Sequence, residues 1–222
     1  MYKTETHLHT AEVSKCSKLR AAEMVKSYHE AGYKTIIISD HFSVNYIKSL
    51  GEIPWQDKIT IFLQGYYKAK EAAKAFDMNV LAGAEITFPD ADNDYLVYGI
   101  TKEFLISYPD LFGQGIEKFH ERAKEHGLLV VQAHPYRDDV CFPTPSCVDG
   151  IEVYNSNPRH CDYNEKAEAM AKENGLFYLS GSDAHRVDDL GKVGILTEKE
   201  IKNSDDFIEV IRSGRYELIK EK

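Results

Sequence analysis

The chain has 222 residues, 43% of them hydrophobic, with 14 Tyr and 10 Phe, which excludes a disordered polymer and is enough to bury a full core as one domain over 1–222. A formal net charge of -9 argues against broad capture of extended nucleic acid or an anionic membrane surface. No apolar run approaches the roughly 20 residues that span a bilayer, and no basic-then-apolar leader opens the chain, so a cytoplasmic protein with free thiols is expected.

An amino-terminal strand runs through Glu5-Thr6-His7-Leu8-His9-Thr10. Side chains alternate faces along an extended segment, so His7 and His9 point to the same side and can grip one ion. Leu19, Ala22, Val25, Tyr28 and Ala31 recur at helical spacing, and Gly32 can end that helix. The run Ile36-Ile37-Ile38 then reads as a buried strand, followed at once by Asp40 and His41. Ser43 to Ile59 reads as a long loop beside the site, with Trp55 as a candidate substrate wall. A helix from about Ile61 to Phe76 leads to the strand Val80-Leu81-Ala82 and then to Glu85.

The same order of helix, glycine and apolar strand returns around Gly127, Gly175 and Gly214. His134 follows the strand at 128–133, Asn155 the strand at 150–154, and Asp183 with His185 the strand at 176–180. Apolar strands alternating with helices predict a parallel sheet, open or closed into a barrel. In a barrel the C-terminal strand ends share one face, so residues nearly the whole chain apart would meet there. His29, His120 and His126 fall in helical stretches and read as solvated residues. Cys16, Cys141, Cys147 and Cys161 form no Cys-x-x-Cys pair, which removes a zinc ribbon from consideration.

Thr6-His7-Leu8-His9-Thr10, Ser39-Asp40-His41, Gly83-Ala84-Glu85, Ala133-His134-Pro135, Gly150 to Asn155 and Gly181-Ser182-Asp183-Ala184-His185, in that order, resemble the PHP (polymerase and histidinol phosphatase) family over nearly the whole chain. The resemblance implies a distorted (β/α)7 TIM-like barrel with two or three divalent ions, zinc, manganese or iron, with magnesium as a further option. It assigns His7, His9, Glu85 and Asp183 to one metal and His41 and His185 to a second. Glu85 would bridge to a third ion held also by His134, and Asp183, His185 and Glu85 would carry the catalysis.

Two departures from the family pattern stand out. The loop after the first histidine pair reads Ala11-Glu12-Val13-Ser14-Lys15-Cys16, so Glu12 is the candidate ligand for the second metal and Cys16 its alternative. Tyr95 to Thr101 supplies no histidine for the third. The reaction implied is hydrolysis of a small phosphate ester (a nucleotide, an oligonucleotide end, histidinol phosphate or similar) by metal-activated hydroxide. Arg137 would bind the phosphate, helped by Asn155, Arg159 and Lys15, while Asp40 would orient a metal-bound histidine from behind. The rival readings are an amidohydrolase-type C–N hydrolase and a non-catalytic, metal-stabilised binding module.

Overall fold

The computed structural model describes residues 1–89 and 92–220. In chain order the strands are β1 (Tyr2–Leu8), β2 (Tyr33–Ile38), β3 (His41–Ser43), β4 (Asn79–Thr87), β5 (Asp94–Tyr98), β6 (Leu129–Gln132), β7 (Gly150–Asn155), β8 (Phe177–Gly181), β9 (Val193–Thr197) and β10 (Glu217–Lys220). The helices are α1 (Ala21–Glu30), α2 (Val44–Ser49), α3 (Trp55–Phe62), α4 (Gln64–Ala73), α5 (Lys102–Ser107), α6 (Gly115–Glu125), α7 (Asn164–Glu173) and α8 (Ser204–Ser213).

The strands form one sheet in the order β10-β9-β1-β2-β4-β5-β6-β7-β8, with β3 beside β4. Pairs β1–β2, β2–β4, β6–β7 and β7–β8 are parallel, whereas β5 is antiparallel to both its neighbours and β9 to both of its own. The sheet curls until the end of β1 meets the segment after β8 through a parallel bridge between Leu8 and Ala184. The result is a nearly closed barrel, distorted from strict alternation by the reversed strands β5 and β9.

The triple isoleucine of β2 shows why the strands are apolar on both faces. Ile36 and Ile38 pack with Met24, Val25 and Tyr28 of α1, while Ile37 packs with Leu81, Leu96, Leu129, Val131 and Leu179 from other strands and with Phe207 and Ile211 of α8. Each fully buried side chain of this size stabilises the fold by about 1.5–3 kcal/mol. The α1 residues sit at i, i+1 and i+4, one stripe of an amphipathic helix.

The long helix read over 61–76 is two helices, broken at Leu63, which sits at φ -79 and ψ 3. The stretch 43–59 is not a loop: it folds as β3 followed by α2 and α3, and the Trp55 indole N–H donates to the Leu105 carbonyl at 2.9 Å. Trp55 is therefore spent on packing α3 against α5. His120 is buried rather than solvated, with Nε2 3.1 Å from Asp149 Oδ1, whereas His29 and His126 are exposed. All four cysteines are free thiols, and no helix among the described residues is long and apolar enough to cross a membrane.

The β1–β9 pairing depends on a residue without a side chain. Gly194 sits at φ +125, and a Cβ there would lie 2.2 Å from the Thr4 carbonyl oxygen. Gly194→Ala should lower stability by about 1–3 kcal/mol, read as an earlier urea midpoint with unchanged slope.

Candidate metal centre

The seam between β1 and the segment after β8 brings the two ends of the sequence together. The Asp183 N–H donates to the His7 carbonyl at 2.8 Å, and the His9 N–H donates to the Ala184 carbonyl at 3.1 Å. Such closeness requires Gly181, where a Cβ would fall 2.5 Å from both His7 Cβ and Glu152 Oε1. β4 delivers Glu85, and the register of β3 on β4 sets His41 directly beside it. His134 follows β6. Two of these side chains sit on strained backbone, His134 at φ 28 and Asp183 at φ 50, a cost that surrounding structure must hold in place.

His7, His9, Glu85 and Asp183 converge in the interior. His7 Nε2 lies 3.1 Å from His9 Nε2, 3.2 Å from Glu85 Oε1 and 3.6 Å from Asp183 Oδ1. His9 Nε2 lies 3.0 Å from Asp183 Oδ1 and 3.5 Å from Glu85 Oε2. Four zinc ligands about 2.0–2.2 Å from their ion stand roughly 3.4 Å apart at the corners of a tetrahedron. The observed separations from the two imidazoles scatter around that value, so His7 and His9 together with a carboxylate make a donor set suited to a divalent ion. Further groups of converging atoms are His9, His41 and His185, and Glu85, Asp94 and His134. His134 Nδ1 and Arg137 Nη2 are buried without a hydrogen-bond partner, and Glu85 Oε2 is buried against the imidazoles of His41 and His9 at 2.7 and 3.5 Å.

Outer groups fix the ligands. His7 Nδ1 is held 2.8 Å from Glu152 Oε1, which leaves Nε2 for an ion, and Glu152 Oε2 accepts from the His134 backbone N–H and from the Asn155 amide. Asp40 accepts from the Thr10 N–H, the Thr10 hydroxyl and the Ser14 hydroxyl, each at 2.7 Å, and Ser14 Oγ stands 3.4 Å from His9 Nδ1. Asp40 therefore acts on His9 through Ser14 rather than directly. Its buried carboxyl is pushed up to about 6.

Within this pocket, opposite charges offset the cost of burial. Burial works against charge on His7, but Glu152, Glu85 and Asp183 around it hold its proton well above the usual imidazole range. His9, buried and next to His41, is pushed down to about 3. Although burial opposes their charge, Glu85 is held well below the carboxylate range chiefly by His7 and His41, and Asp183 chiefly by His7 and His9. At the mouth, burial raises the Cys16 thiol, yet hydrogen bonds to His185 and His41 bring it down to about 6.

The structure rearranges several expectations from sequence. Glu12 is not at the centre: its Oε2 accepts from the Ala21 N–H at the start of α1 at 2.9 Å and its Oε1 faces Lys68 at 3.8 Å. A carboxylate at a helix N-terminus meets unsatisfied N–H groups and the positive end of the helix dipole. Cys16 takes the place beside the ligands, with Sγ 3.1 Å from His185 Nε2. Arg137 is half-buried, with Nε 2.7 Å from Asp162 Oδ1 and Nη1 2.8 Å from Asp183 Oδ2. Arg159 gives both fork nitrogens to Asp189 at 2.7 and 2.8 Å, which corrects its reading as a substrate group. Asn155 is occupied with Glu152 and with the Asn157 N–H, and Lys15 is exposed on the loop before Cys16.

Glu152 and Asp94 are the residues that sequence reading passed over. Glu152 is a lone carboxylate between the apolar residues Ile151 and Val153 of β7, which is itself a signal. Asp94 shares the face of Glu85 because Glu85 pairs with Leu96 and Asp94 lies two residues away on β5. Its Oδ2 stands 3.9 Å from His134 Nε2, filling the place where a histidine was sought.

A family model described as PHP-associated matches residues 162–216. Over 99% of its length the chain superposes on a two-domain protein containing a predicted PHP-like metal-dependent phosphoesterase from Bacteroides vulgatus, with a TM-score of 0.71 and 16% identity, and it spans 65% of that protein. A protein proposed to be a metal-dependent phosphoesterase, from Bifidobacterium adolescentis, matches 95% of the chain over 96% of its own length, with a TM-score of 0.55 and 16% identity. An amidohydrolase from Chromobacterium violaceum, solved with sulfate and no metal, matches 97% of both chains with a TM-score of 0.55 and 15% identity. A comparison with curated protein sequences gives no match. The chain has the PHP-type fold, and its buried His, Glu and Asp clusters are suited to more than one metal ion.

Replacing the carboxylate behind His7 tests this architecture. Glu152→Gln, nearly isosteric, should weaken the tightest divalent ion by about 10–100-fold in competition with a chromophoric chelator.

Proposed function

We propose that the chain is a metal-dependent phosphoesterase that hydrolyses a small phosphorylated substrate. The observation that carries this reading is the set of 3.0–3.6 Å contacts by which His7 and His9 meet each other, Glu85 and Asp183, next to two more groups of imidazoles and carboxylates. Mixed nitrogen and oxygen donors suit zinc, manganese or iron. Bound there, divalent ions would acidify a water and neutralise the oxygens of a phosphoryl group.

The protein's own groups divide the remaining work. Asp183 points Oδ1 at His9 and gives Oδ2 to Arg137, so one carboxylate ties the ion site to a guanidinium. Arg137 keeps Nη2 without a partner, a donor suited to a phosphoryl oxygen as charge builds. The His7 and His9 side chains are fully buried, whereas His41 is 34% exposed. Substrate and water would therefore enter on the side of His41 and His185, where a coordination position can stay open.

An amide-cleaving reading has the fold match to an amidohydrolase behind it, but among the described residues the side chains paired with Glu85 and Asp183 are histidines and Arg137, with no lysine beside them to carry a bridging carbamate. The net charge of -9 favours small substrates over extended nucleic acid.

Hydrolysis of nucleoside monophosphates, histidinol phosphate and sugar phosphates, read as phosphate release, and of dinucleotides, read as release of mononucleotide, with manganese or zinc added, tests the proposal. Release from one of these classes is expected, falling about a hundredfold or more in Asp183→Ala, as the loss of a few kcal/mol of charge stabilisation requires. Metal-loaded protein that hydrolyses none of them would contradict it.

A further inference from the structure

We infer that Cys16 supplies a thiolate to the outer ion position, together with His41 and His185, so that one metal of the centre is sulfur-ligated. The inference rests on the metal-centre reading above and deepens it by naming a ligand and the kind of metal it selects.

Three features place the sulfur there. Cys16 Sγ lies 3.1 Å from His185 Nε2, and the ring nitrogens of His9, His41 and His185 all lie within 4.8 Å of one another. Glu85 Oε2 is buried and stands 2.7 Å from His41 Nδ1, so a carboxylate oxygen borders the same cluster. Glu12, the other donor on this loop, is turned away onto the start of α1.

The loop is built to present this one side chain. Ahead of Cys16, the Ser14 hydroxyl donates to Asp40 at 2.7 Å. Behind it, the Ser17 hydroxyl donates to the His9 carbonyl at 3.0 Å and the Lys18 N–H donates to the His185 carbonyl at 2.8 Å. The backbone on either side of the cysteine is thus tied to the segments that carry His9 and His185. Cys141 and Cys147 are buried elsewhere, and Cys161 is exposed on the loop near Asp138.

A thiolate changes which ion the position prefers. Soft sulfur favours zinc, iron and cobalt over magnesium and manganese, whereas the inner set of His7, His9, Glu85 and Asp183 is nitrogen and oxygen alone. The two positions would then differ in metal, and the outer one would be the more selective.

Cobalt(II) titration reads the sulfur directly, independent of turnover. The wild-type protein should develop a near-ultraviolet sulfur-to-cobalt charge-transfer band alongside the visible ligand-field bands. The band should persist in Cys161→Ser and vanish in Cys16→Ser, which keeps the ligand-field bands of the nitrogen and oxygen positions and so reports that it is folded. Cys16→Asp should also lose the band and shift the outer position towards manganese. Ligand-field bands without a charge-transfer band in the wild type, or an unchanged band in Cys16→Ser, would overturn the thiolate assignment and leave the metallohydrolase reading standing. Failure of the wild-type protein to bind cobalt at all would overturn both.

Discussion

The seam that joins β1 to the segment after β8 is the constraint on which the centre depends. Two backbone hydrogen bonds and a glycine that tolerates a Cβ-free approach hold His7 and His9 against Asp183 and His185. Every other ligand is placed relative to that junction: Glu85 reaches in from β4, His134 from the end of β6, and Glu152 from β7 fixes the ring of His7 from behind. The reversed strands β5 and β9 distort the barrel without disturbing the face on which these strand ends converge, and β5 adds Asp94 to it.

Concentrating so many ionisable groups in a buried space is costly unless they compensate one another. The arrangement solves this by interleaving signs. Glu85 touches His7, His41 and His134, while Asp183 touches His7, His9 and Arg137, so each of these two carboxylates has a positive or metal-ready neighbour. Among the described residues of the site, His134 Nδ1 and Arg137 Nη2 are left without a hydrogen-bond partner. Strained backbone at His134 and Asp183 belongs to the same pattern, since a metal and a substrate repay conformations that the free chain holds at a cost.

Much of the site was legible because side-chain periodicity is local. His7 with His9, and Asp183 with His185, announce themselves by spacing alone, and the apolar strands before them say which face they occupy. The errors have a common cause, which is that pairing across the fold leaves no trace in spacing. Nothing near Arg159 in sequence says that Asp189 will take its fork, and nothing near Arg137 points to Asp162 and Asp183 as its partners. Glu12 and Cys16 lie in an aperiodic loop, where direction is set by the start of α1 and by hydrogen bonds to the loop's serines. Asp94 was passed over because a histidine was sought on that strand, although its register opposite β4 places a carboxylate equally well. The segment after β3 looked like a loop because α2 and α3 are short and meet at a proline.

The central claim is that these imidazoles and carboxylates form a polynuclear metal centre. Anomalous scattering from crystals grown with manganese or zinc measures this most directly, because it locates ions without reference to activity. The account predicts at least two strong peaks: one enclosed by His7, His9, Glu85 and Asp183, and one on the exposed side next to His41 and His185. An absence of peaks at the face where these residues meet, in crystals that show the ion elsewhere or in solution at saturating metal, would contradict it.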